Sequence, residues 1–65
     1  MRPLTRRQRE MLLLVSEGAS YAAAAAAMGI SRNTALHHAQ AVLIHYGAQT
    51  MVHAVATAFR RGDIK

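Results

Sequence analysis

Residues 20–38 read SYAAAAAAMGISRNTALHH, and this stretch decides the fold. Ser20 is a good N-cap, since its hydroxyl can accept a bond from one of the free amides in the first turn of a helix. The tract Ala22 to Ala27 has the highest intrinsic helix propensity, and Met28-Gly29 ends it with the residue that most readily turns left-handed. After the short connection Gly29-Ile30, Ser31 caps a second helix, whose start carries the polar residues Arg32, Asn33 and Thr34. A short helix, a tight glycine turn and a capped helix with polar side chains outward make the helix-turn-helix pattern. The alanine tract carries no chemistry of its own; it serves propensity and close helix packing.

Outward from this stretch, the same start and stop signals place two more helices. Thr5 and Gln8 form a capping box, Gly18 suits the end, and a first helix is expected over residues 6–17, with Met11, Leu12, Leu14 and Val15 as its core stripe. The helix opened by Ser31 runs from Arg32 to Tyr46 and stops at Gly47. Its residues Ala35, His38, Ala39, Val42 and Tyr46 recur at helical spacing and should face the core, which leaves Asn33, Leu36, His37, Gln40, Ala41 and Ile44 outward. Thr50 caps a fourth helix over residues 51–61, with Val52, Val55, Ala58 and Phe59 as its apolar stripe and Gly62 as its stop. No segment shows strand alternation, so the expected fold is all-α, a compact four-helix domain whose second and third helices form the helix-turn-helix. A chain of 65 residues has room for one such domain, and without cysteine it relies on packing or self-association for stability.

The formal net charge of +5 favours a polyanionic partner, but the cations sit at the two ends. Arg2, Arg6, Arg7 and Arg9 lie near the start and Arg60, Arg61 and Lys65 near the finish, with Arg32 alone between them. The longest apolar stretch, residues 21–30, is far short of the roughly 20 residues of a membrane span. With no apolar leader at the start and no cysteine, a cytoplasmic protein is the expectation.

The outward face of the third helix supplies the candidate contacts to double-stranded DNA. Arg32 can pair with guanine or phosphate and Asn33 can read adenine. Thr34 suits backbone or phosphate, and His37 and Gln40 are the next groove-facing candidates. No catalytic residues are expected. The carboxylates Glu10, Glu17 and Asp63 form no pair with a nucleophile, there is no glycine-rich phosphate loop, and Glu10 reads as structural. The histidines His37, His38, His45 and His53 lack the spacing and the acidic or cysteine partners of a metal site, so neither a metal nor a cofactor is expected.

From Leu4 to Ile64 the chain resembles the LuxR/GerE-type DNA-binding domain. The resemblance rests on Leu4-Thr5 with Arg7, Arg9 and Glu10; Leu12 and Leu14; Glu17-Gly18 with Ser20; Ala25 and Met28; and Ile30-Ser31 with Thr34. It continues through His38, Val42 and Gly47 to Ala54-Val55, Ala58, Arg60-Arg61-Gly62 and Ile64. It implies a transcription regulator whose third helix reads DNA and whose last helix forms a homodimer on a two-fold symmetric site. It also implies an input domain that these residues do not supply, which leaves regulation by abundance or by a partner. The departures lie on the reading surface. The family's valine and DNA-contacting lysine after the matched threonine are Ala35 and Leu36 here, a usual basic residue is His45, a usual leucine is Tyr46, and a usual arginine is Met51. An apolar Leu36 can instead touch a thymine methyl group.

The main alternative is a protein-interaction module that keeps the fold and uses an apolar face, because Leu13, Leu36 and Ile44 are large apolar residues at outward positions. A membrane-surface peptide fits less well, because the arginines do not line one face of a helix.

Overall fold

A computed structural model of the chain describes residues 3–65; Arg2, one of the cations near the start, lies outside them. Among the described residues the regular elements are four α-helices: α1 (Arg6–Ser16), α2 (Tyr21–Met28), α3 (Arg32–Tyr46) and α4 (Met51–Arg61).

Each helix opens on the cap that the sequence predicts. Thr5 Oγ1 accepts from the Gln8 amide at 3.2 Å while Gln8 Oε1 accepts from the Thr5 amide at 3.0 Å, so two otherwise free donors are satisfied reciprocally. Ser20, Ser31 and Thr50 accept from the amides of Ala23, Thr34 and His53, each at 3.1 Å. The helix ends share one closing bond, from the amide just past the glycine back to the carbonyl five residues earlier: Ala19 to Leu14, Ile30 to Ala25, Ala48 to Leu43 and Asp63 to Ala58. That bond forms when the residue after the helix is left-handed. At the turn between α2 and α3 the requirement is plain: Gly29 has φ +68°, and an added β-carbon there would meet nothing within 4 Å, so only the backbone conformation demands glycine. α1 is one residue shorter than expected, because Glu17 already has ψ 3° as the chain bends into Gly18.

α3 is the centre of the domain and packs against α1, α2 and α4, while α1 also touches α2 and α4. The core comprises Met11 and Leu12 of α1; Ala24, Ala25 and Met28 of α2; Ala35, Ala39, Val42 and Tyr46 of α3; Met51, Ala54 and Ala58 of α4; and Ile64. Alanines make up two of the three buried residues in α2 and in α4 and two of the four in α3, which lets backbones approach closely around a small apolar set. Leu14 and Val15 pack partly buried against this core.

Two sequence expectations need correction. The stripe assigned to the fourth helix is out of phase with its buried side. Of Val52, Val55, Ala58 and Phe59, only Ala58 is fully enclosed; Val52 is 81% exposed and Phe59 60% exposed, with Val55 half-buried. The apolar sector of α4 is wider than its contact, and the close approach to its neighbours selects the small residues Ala54 and Ala58 in preference to the large ones. Leu36, expected outward with Leu13 and Ile44, is half-buried, whereas Leu13 is 38% and Ile44 81% exposed.

Candidate nucleic-acid interface

The outer face of α3 follows from its inner one. With Ala35, Ala39, Val42 and Tyr46 buried, a helix of about 3.6 residues per turn directs Asn33, His37, Gln40 and Ile44 to the opposite side, in a single row along the axis. All four are exposed, as are Arg32 and Thr34 in the first turn. The row is polar at its N-terminal and middle positions and apolar at its last, Ile44.

Ser31 organises the first turn. Its hydroxyl accepts from the Thr34 amide and donates to Thr34 Oγ1 at 2.9 Å. Thr34 is thereby held beside the cap, with its own hydroxyl proton left to donate outward. Among the described residues the ion pair is Arg7–Glu10, so Arg32 projects with no carboxylate partner. Leu36 lies beside the row, half-buried and outside the core cluster. His38, read as core-facing, is half-buried on the flank.

The arginines near the chain start divide into two kinds. Arg6 is exposed. Arg7 Nη2 donates to the Met28 carbonyl at 2.6 Å and Nη1 to Glu10 at 3.2 Å, a cation placed on the last turn of α2, where the helix dipole favours it. Arg9 Nη1 donates to the Asp63 carbonyl at 2.8 Å. The sequence by itself places these arginines only as cations near the chain start. Their tertiary roles, across 21 and 54 residues of chain, have no periodic signature in the sequence.

At the end of α3, Tyr46 Oη donates to Asp63 Oδ2 at 2.7 Å, and the Arg61 guanidinium lies 5.4 Å from the centre of the Tyr46 ring. Burial, followed by the hydrogen bond to Asp63 and its negative charge, pushes the Tyr46 phenol up to about 12, against smaller opposing effects of Arg61 and Arg9.

The outer face of α4 is the second distinctive surface. Val52, Ala56 and Phe59 are exposed and Val55 partly so; positions 52, 55, 56 and 59 fall on one side of a helix. Among the described residues no group of three or more histidine, cysteine, aspartate or glutamate side chains is placed to hold a metal ion, and no helix is long and apolar enough to cross a membrane.

A family model described as a homeodomain-like domain matches residues 2–41, a stretch that includes α1, α2 and α3 as far as Ala41. No curated protein and no solved structure matches the chain.

Proposed function

Because the chain belongs to the homeodomain-like helix-turn-helix family, we propose that it is a sequence-specific DNA-binding transcription regulator of the LuxR/GerE kind, acting in the cytoplasm as a homodimer. α3 enters the major groove. Asn33, His37 and Gln40 meet base edges, Arg32 pairs with guanine or a neighbouring phosphate, Thr34 donates to the backbone, and Leu36 offers its exposed part to a thymine methyl.

The observation that carries this reading is the row of exposed, unpaired polar side chains directly opposite the buried face of α3. Such a row on the second helix of a helix-turn-helix is where base contacts are made. The dimer is supported by the outer face of α4, whose Val52 and Phe59 are more than half exposed. A second copy would cover them, and two copies related by a two-fold axis would present their third helices to half-sites about one helical turn apart. With Arg32 the one arginine or lysine on the reading helix, non-specific affinity should be low and the salt dependence shallow unless the exposed arginines near the two ends of the chain also meet phosphates.

Ile44, 81% exposed at the end of the reading row, favours a second reading, a protein partner on the apolar side of α3. Selection of bound sequences from a random duplex library at fixed salt, with the wild type and with Asn33→Ala and His37→Ala, separates the two. An enriched palindrome, weakened by about 1–3 kcal/mol when a base-reading side chain is removed, supports the regulator. Absence of any enriched motif supports the protein partner.

A further inference from the structure

Asp63 joins three elements at one residue. Its carboxylate accepts from the Tyr46 hydroxyl at the end of α3, its backbone carbonyl accepts from Arg9 of α1, and it lies one residue past Gly62, which ends α4. Tyr46 belongs to the buried core, where a phenylalanine would fill the same space. The hydroxyl is therefore not needed for packing; it provides a directed bond. α4 is tied to α3 at its start by the short connection of residues 47–50 and near its finish by the Tyr46–Asp63 bond, while Arg9 fixes the same residue to α1. Attachment at both ends leaves the crossing of α4 over α3 little freedom.

The crossing matters because the two helices carry different faces, the reading row on α3 and the exposed apolar face on α4. We propose that the Tyr46–Asp63–Arg9 clasp sets the separation and rotation of the two reading helices in the DNA-bound dimer and so selects the spacing between half-sites. The proposal rests on the reading of α3 as the DNA reader and α4 as the dimer face. With half-sites about 34 Å apart, each reading helix lies about 17 Å from the two-fold axis. Adding one base pair between the half-sites moves each outward by about 1.7 Å, half of the roughly 3.4 Å rise, and turns the two by about 35° relative to each other, so the separation and the rotation of the reading helices both decide which spacing fits. Tyr46 and Asp63 act as positioning residues, touching neither DNA nor the second copy.

The test compares wild type, Tyr46→Phe, Asp63→Ala and Asp63→Asn, the last of which keeps an acceptor for the phenol. Three quantities are measured: affinity for a duplex with one half-site, self-association by sedimentation, and affinity for the full site with its centre shortened or lengthened by one base pair. Wild type is expected to prefer the native spacing by about tenfold or more. In Tyr46→Phe and Asp63→Ala that preference should fall to about threefold or less, with half-site affinity and self-association unchanged, and Asp63→Asn should retain it. A spacing preference that survives in both deficient variants overturns the clasp while leaving the functional reading intact. Variants that lose half-site binding as well overturn it too, since the bond would then serve the fold alone. Wild type that binds no half-site, or that stays monomeric on the full site, overturns the functional reading and the clasp with it.

Discussion

α2 and α4 have nearly the same interior and very different exteriors. α2 buries Ala24, Ala25 and Met28; α4 buries Met51, Ala54 and Ala58. Each also has its C-terminal end anchored by an arginine of α1, Arg7 to the Met28 carbonyl and Arg9 to the Asp63 carbonyl. Facing outward, α2 shows Ala22, Ala23, Ala26 and Ala27, whereas α4 shows Val52, Ala56 and Phe59. The comparison separates what the fold requires from what it does not. Two alanines and a methionine, with the partly buried Tyr21 or Val55 beside them, seat each helix on this core, so the fold does not require the large exposed side chains of α4.

The comparison can be broken first at the interiors. Ala24→Leu and Ala58→Leu each force a larger side chain into a fully buried site and should lower stability by about 1–3 kcal/mol, read from thermal or denaturant unfolding. If one is tolerated and the other is not, the two interiors are unlike.

The exteriors give the next effect. Val52→Ser with Phe59→Ser should weaken self-association by about tenfold or more, measured by sedimentation equilibrium, while changing monomer stability by about 0.5 kcal/mol or less. Ala23→Ser with Ala26→Ser should change neither quantity. Equal behaviour of the two pairs would remove the distinction between the helices.

A smaller effect is expected at the anchors. Arg7→Ala removes the bond to Met28 along with the ion pair, and the half-exposed ion pair itself contributes little. A loss of about 1 kcal/mol or slightly more is expected from the carbonyl bond, against no measurable change for the exposed Arg6→Ala.

The last effect shows only at high pH and concerns Tyr46. Its phenol should ionise near 12, as followed by tyrosinate absorbance, with the step assigned by its disappearance in Tyr46→Phe. Asp63→Asn should lower it, because the carboxylate charge is one of the raising causes. The folded value lies above the ordinary value of about 10. The folded state therefore holds a proton that the unfolded chain releases, and this contribution to stability is full below about pH 10 and lost as pH rises towards 12.

The helices were legible because capping and termination are local chemistry. Thr5 with Gln8, Ser20, Ser31 and Thr50 mark the starts, the glycines mark the stops, and only the end at Glu17 shifted by one residue. The outward row of α3 was legible for a related reason: a helical period fixes which residues oppose Ala35, Ala39 and Val42 whatever they pack against. The buried side of α4 was not legible. Its large residues Val52 and Phe59 outweigh Ala54 in any apolar pattern, yet the side of α4 that is buried holds Met51, Ala54 and Ala58, of which the pattern marks only Ala58. Leu36 was misplaced because it sits at the edge between the two faces of α3, where burial depends on neighbours. The bonds of Arg7, Arg9 and Asp63 span too much chain for spacing to reveal them. The homeodomain-like match ends at Ala41, and α4 lies beyond it.

Methylation interference on the selected DNA site tells which groove α3 enters, because guanine N7 lies in the major groove and adenine N3 in the minor groove. Methylation at guanine N7 should block binding in two patches about one helical turn apart, and Asn33→Ala or His37→Ala should weaken the footprint at those patches. Interference confined to adenine N3, or a protein indifferent to methylation in either groove, would contradict the assignment of α3 as the reading helix.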